Sequence, residues 1–146
     1  MALDLLSALN SPEIGVRVDT IEELARQPGD ARPKLAAILV DPTAGIRARI
    51  WAMIALCQVG CDAGDVAERA LVRCVDDPEA VVRRSAIDVL GHLRVATAAR
   101  TIAAHLDDHD HVEEAWFEDD STPSQAAKRA LRTIGSPEAL ALLTTA

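Results

Sequence analysis

The stretch DPEAVVRRSAIDVLGHL, residues 77–93, carries a complete helix signal. It opens with Asp77 and a proline; aspartate is a favoured N-cap, and proline fits the first helical position. Apolar residues then recur at i, i+4, i+7, i+8 and i+11, the spacing of one helical face. They are Val82, Ala86, Val89, Leu90 and Leu93. We therefore predict a helix over 78–91, with Asp77 as its N-cap and Gly91 at its end.

The opening of this helix occurs three more times along the chain. SPEIGVR begins at Ser11, DPTAGIR at Asp41 and TPSQAAK at Thr122. Each copy has a capping residue, a proline one position later and a basic residue six positions after the first. The four basic residues are Arg17, Arg47, Arg83 and Lys128. We predict that these first residues are N-caps and that the basic residues form a structural ladder with the caps of neighbouring repeats.

Short segments rich in alanine and leucine lie between these longer helices, for example ARPKLAAILV from Ala31. The predicted helices are 2–9, 12–26, 31–40, 42–58, 64–75, 78–91, 97–106, 123–134 and 137–144. Aromatic residues make up only 2% of the chain, so the core must consist of small aliphatic side chains. Such a core suits closely packed helices better than a β-sandwich, whose strands favour aromatic and β-branched residues.

The stretch at 77–93 and the closing IGSPEALALL, residues 134–143, resemble the short HEAT-like repeats of the phycocyanobilin-lyase type. The resemblance covers nearly the whole chain. It implies one domain, residues 1–146, folded as an all-α, right-handed α-solenoid of about four helical hairpins plus a terminal helix. The motif is specific for this fold but says little about activity, because the fold is a widely reused scaffold.

The fourth repeat is interrupted by an insertion. Leu106, Asp107 and Asp108 should be followed at once by proline, but the chain runs HDHVEEAWFEDDS before it reaches Thr122. We name residues 107–121 the acidic segment, because it holds eight of the 23 acidic residues and no lysine or arginine. The other 15 acidic residues are matched by 15 lysines and arginines, so this segment carries the whole net charge of −8.

The acidic segment also holds two of the three aromatic residues, Trp116 and Phe117. An aromatic anchor ringed by carboxylates is suited to binding a basic protein. The predicted contact residues are Trp116, Phe117, Glu113, Glu114, Glu118, Asp119 and Asp120. We therefore predict a non-catalytic protein-interaction module. Two alternatives are a solvated acidic loop without a partner and an inhibitor or immunity-type protein that blocks a basic enzyme such as a nuclease.

A metal-dependent function is a further alternative. Histidines and carboxylates cluster at the start of the acidic segment, and such a cluster could hold zinc or another divalent ion. The candidate ligands are His105, His109, His111, Asp108 and Asp110. They match no familiar ligand signature. Cys57, Cys61 and Cys74 are better explained as small apolar residues in an alanine-rich core.

The remaining sequence features exclude several classes of function. There is no glycine-rich phosphate loop and no recognisable nucleophile motif, so we expect neither catalysis nor a cofactor. The chain lacks the basic face that nucleic-acid binding needs. It has no signal peptide and no apolar run of about 20 residues, so we expect a cytoplasmic protein without a membrane span. The leucines of the last helix predict either a monomer or a homodimer through that helix.

Overall fold

The computed structural model describes residues 4–112 and 121–145. These residues form helices and no strands, which confirms the all-α prediction. The helices are α1 (Leu5–Leu9), α2 (Ile14–Ala25), α3 (Pro28–Leu39), α4 (Ile46–Val59), α5 (Val66–Cys74), α6 (Ala80–His92), α7 (Ala99–Ala103), α8 (Pro123–Ile134) and α9 (Pro137–Thr144). A short 3-10 turn, Ala96–Ala98, leads into α7. No helix among the described residues is long and apolar enough to cross a membrane.

The chain divides into two compact units, Met1–Leu71 and Val72–Ala146, and the division falls within α5. In unit 1, α3 and α2 both pack against α4. Its largest fully buried side chains are Leu9, Leu35, Leu39, Ile50, Met53, Leu56 and Leu71. The prediction of a single domain over 1–146 stays a prediction.

Unit 2 is built around α6 and α8, with α7 and α9 packed against α8. Its largest fully buried side chains are Val75, Ile87, Leu90, Ile102 and Leu131. The helices α6 and α8 approach closely at Gly91, where a Cβ would lie 2.7 Å from both Cα and Cβ of Ala130. Gly91 lies one residue before the end of α6, close to the predicted end, and it serves there as a packing residue.

The predicted N-caps are correct in only one of the four copies. Thr122 forms a capping box with Gln125 at the start of α8. In the other copies, Ser11, Asp41 and Asp77 instead accept a hydrogen bond from the N–H two residues later, as in an Asx or Ser/Thr turn. The helices then begin three to five residues after them.

Candidate protein-interaction site

The acidic segment lies in unit 2, after α7 and before α8 in the chain. The two ends meet, because the backbone N–H of Ser124 donates to the carbonyl oxygen of Asp108 at 2.8 Å. The hydroxyl of Ser124, which is buried, donates to the carbonyl oxygen of Leu106 at 2.5 Å. Ser124 therefore holds residues 106–108 against the start of α8.

The incoming end of the segment is held by Arg83 of α6. Its Nε and Nη2 donate to the two carboxylate oxygens of Asp108 at 2.9 and 3.3 Å, and Nη2 also donates to Asp110. Its Nη1 donates to the carbonyl oxygens of Asp77 and Pro78, both at 3.0 Å. Arg83 thus joins the turn before α6 to the first residues of the acidic segment, and two-pronged contacts of this kind are the strong form of an ion pair.

The contact between Arg83 and Asp108 is largely buried. Arg83 is only 8% exposed, whereas Asp110 lies at the surface. The hydrogen bond to Asp108 raises the pKa of Arg83 further above its ordinary value. Burial alone would raise the pKa of Asp108, but hydrogen bonds from Arg83 and His105 outweigh it, so that pKa lies below its ordinary value. Asp108 is therefore a carboxylate at neutral pH, and the ion pair is complete.

The returning end of the segment is held by Arg129 of α8. Its Nη2 lies 3.0 Å from the hydroxyl oxygen of Ser121, which is buried. The same nitrogen lies 3.2 Å from a carboxylate oxygen of Asp88 on α6. Val112, further along the incoming end, is also buried. Both ends of the acidic segment are thus fixed by side chains from α6 and α8.

The candidate metal ligands have other partners in the structure. Asp108 and Asp110 contact the cationic Arg83, whose charge opposes a metal ion in the same place. The ring nitrogens of His105 lie 3.0 Å from Asp76 and from Asp108. Within residues 4–112 and 121–145, no group of three or more histidine, cysteine or acidic side chains is placed to hold a metal ion.

Two of those histidines, His109 and His111, are exposed. Both lie after α7, which ends at Ala103.

The predicted contact residues lie outside the part of the chain that the structure describes. They are Glu113, Glu114, Trp116, Phe117, Glu118, Asp119 and Asp120. Sequence reasoning missed the residues that hold the two ends of the segment, Arg129, Ser121 and Ser124. It predicted that the basic residue six after the cap is structural, and Arg83 does contact Asp108 and the carbonyl oxygen of Asp77, the first residue of its own copy. The predicted ladder with the caps of neighbouring repeats stays a prediction.

No protein-family model and no curated protein matches the chain. Eight chains of solved structures are similar to it. One belongs to the complex of CpcE and CpcF of phycocyanin lyase from Nostoc sp. PCC7120, with 24% sequence identity and a TM-score of 0.64. The match covers 96% of this chain and 55% of that chain, so this protein spans about half the length of its neighbour. The likeness confirms the predicted HEAT-like helical fold.

Proposed function

We propose that this protein is a HEAT-like module that binds another protein, and that the acidic segment is the contact. The observation that carries the proposal is that both ends of the segment are held by Arg83 and Arg129. A loop that only solvates the surface needs no such attachment. Eight carboxylates within these 15 residues concentrate negative charge between two ends that Arg83 and Arg129 hold.

The residues of the segment indicate the chemistry of the partner. Trp116 and Phe117 offer apolar area, and the surrounding carboxylates attract positive charge. In protein interfaces, a few aromatic anchors supply most of the affinity, while charges at the rim speed and orient the encounter. The partner is therefore a protein with a basic surface around an apolar pocket.

The solved neighbour supports a function that depends on partners. Its structure is a complex of two different proteins, CpcE and CpcF. That complex is of a phycocyanin lyase. For this chain we propose a non-catalytic role in the cytoplasm, because its sequence has no recognisable catalytic motif. A homodimer through α9 stays a prediction; it is supported by Leu140, which is 46% exposed.

The test is capture of partners with and without the acidic segment. Residues 113–120 are replaced by two glycines, which keeps Asp108, Asp110, Val112 and Ser121 and preserves the contacts of Arg83. Proteins from the native cells are cross-linked to each form and identified by mass spectrometry. We expect basic proteins that the full chain captures and the shortened chain does not.

A single charge reversal is the matched control for this experiment. Glu114→Lys lies in the acidic segment, and Asp30→Lys changes an exposed carboxylate of α3 by the same two charges. We expect the first change to reduce capture and the second to leave it intact. Equal capture by the full and shortened chains would contradict the proposal.

A further inference from the structure

The helix α2 buries far less than the other long helices. Ile21 is the one buried residue of α2. In α4, by contrast, most of the residues on the apolar side of the helix are buried. Two apolar residues of α2, Ile14 and Val18, are 61% and 40% exposed. They lie one helical turn apart on the same side, and Glu22 continues the row by another turn. We name these three residues the α2 row.

The repeats show which side of α2 this row occupies. In unit 2, Arg129 and Ala130 of α8 lie seven and eight residues after Thr122. Both contact the preceding long helix α6, Arg129 through Asp88 and Ala130 through Gly91. The residues at these two repeat positions therefore face the preceding long helix. In the first copy, which begins at Ser11, the same two positions are Val18 and Asp19.

The second copy shows what happens when this row is covered. The positions three, seven and eleven residues after Asp41 are Ala44, Ala48 and Ala52, and they are 7%, 0% and 0% exposed. The same positions of the first copy are the α2 row. Its two apolar residues, Ile14 and Val18, are larger than alanine and are exposed to solvent. The exposed Ile14 and Val18 thus mark a place where a helix is able to pack.

The surrounding charges indicate what kind of helix fits. Asp19 is exposed beside the row and Glu22 is exposed within it, whereas Glu23 forms an ion pair with Arg26. The last helix of this chain, α9, has an acidic residue and no basic one in its terminal turns, so it does not complement this surface in a second copy. A second α2 would oppose like charges. The acidic rim instead fits a helix that carries lysine or arginine beside its apolar stripe.

We propose that the α2 row binds an amphipathic helix of a partner protein, with basic residues flanking the apolar stripe of that helix. The partner helix lies along α2 in the position that a preceding long helix occupies in a HEAT-like array. Ile14 and Val18 supply the apolar contact, and Asp19 and Glu22 pair with its basic residues. This surface belongs to unit 1 and does not depend on the acidic segment of unit 2.

The probe for this proposal is a synthetic peptide of ~18 residues with a leucine stripe at helical spacing and lysines beside it. Binding is followed by fluorescence anisotropy to the full chain in which Glu113, Glu114 and Glu118 are changed to glutamine. These changes reduce attraction of the peptide to the acidic segment. A peptide with glutamates in place of the lysines should not bind.

Two valines of equal exposure give a matched comparison. Val16 and Val18 are both 40% exposed, but they lie on nearly opposite sides of α2. We expect Val18→Asn to weaken peptide binding about tenfold and Val16→Asn less than about twofold. Asp19→Asn together with Glu22→Gln should weaken binding mainly at low salt.

Three outcomes would overturn the proposal. Equal effects of the two valine changes would show that the peptide binds elsewhere. A concentration-dependent dimer that Val18→Asn alone abolishes would assign the row to a second copy. A large loss of stability in Val18→Asn but not in Val16→Asn would show that the chain itself covers the row.

Discussion

Asp108 accepts the two-pronged contact of a guanidinium that is itself buried. Removing the carboxylate leaves Arg83 with Asp110 and two carbonyl oxygens. Breaking one partner of a buried pair is costly because the remaining charge stays out of water. We expect Asp108→Asn to lower the free energy of unfolding by about 1–3 kcal/mol, measured by urea denaturation.

The neighbouring Asp107 is the matched control for that change, because it is an exposed carboxylate one residue away. Asp107→Asn should change the free energy of unfolding by less than about 0.5 kcal/mol. Equal effects of the two substitutions would show that net charge, and not the contact with Arg83, determines the result.

The pH dependence of stability follows from the lowered pKa of Asp108. Its pKa in the folded chain lies below the ordinary value of 3.8. Stability from this group is therefore complete above pH 3.8 and is lost as the pH falls through the folded pKa. We expect the stability difference between the natural chain and Asp108→Asn to be constant from pH 7 to about 5 and to shrink below about 4. A difference that shrinks already between pH 7 and 5 would contradict this assignment.

Cys61 should react slowly although it is partly exposed. Burial, with help from Asp65 and Glu68, raises the pKa of this thiol from 9.0 to about 11. Since the thiolate is the reactive form, its population at pH 8 falls by about 100-fold. In a chain carrying Cys57→Ser and Cys74→Ala, we expect alkylation of the folded protein at pH 8 to be much slower than in urea. Similar rates in both conditions would refute the raised pKa.

The close packing of α6 against α8 depends on a glycine. A methyl group at Gly91 would lie 2.7 Å from the backbone of Ala130, and backbone atoms cannot move aside cheaply. We expect Gly91→Ala to destabilise the protein by about 1–3 kcal/mol, although alanine favours a helix.

A second helical glycine tests this reasoning. Gly15 of α2 has open space around the position of a Cβ. Gly15→Ala should therefore stabilise the protein by about 0.5–1 kcal/mol, measured by thermal and urea unfolding. If both alanines stabilise, the close approach of α6 and α8 is not maintained in solution.

The helices themselves were largely predictable, because apolar periodicity reports which faces are buried. The residues at which the helices begin were less predictable. Thr122 and Asp77 look alike in sequence, yet only Thr122 caps its helix, because Gln125 completes the capping box. Glycines show the same limit. Gly135 ends α8 in a left-handed conformation, whereas Gly91 lies where α6 packs closely against α8. Only tertiary contacts distinguish these cases.

The candidate site shows how far a single sequence reaches. The interruption of the repeat and its charge are local features, so the acidic segment could be found from composition and spacing. The residues that hold it could not, because the contact of Arg83 with Asp108 joins positions 25 residues apart. The contact of Arg129 with Asp88 spans 41 residues. A sequence motif reveals a contact between distant positions only when a structure has already shown that those positions are in contact.

At the scale of the whole molecule, charge and apolar contact are separable. The acidic residues of the acidic segment account for the whole net charge of −8, and the rest of the chain is formally neutral. Long-range attraction of a basic partner therefore originates in that segment and weakens with salt over a Debye length of about 8–10 Å. The apolar anchor acts only after contact. Association and dissociation should consequently respond to different substitutions.

We expect Trp116→Ala to weaken binding of the basic partner by about 2 kcal/mol or more, mainly through faster dissociation. Reversal of Glu113 and Glu114 to lysine should instead slow association and flatten its dependence on salt. Surface plasmon resonance at several salt concentrations separates the two effects. Neither change should lower the melting temperature much, because the contacts of Arg83 and Arg129 stay intact. Unchanged binding by Trp116→Ala, together with a large loss of stability, would instead make Trp116 a core residue and the segment a cover for the last repeat.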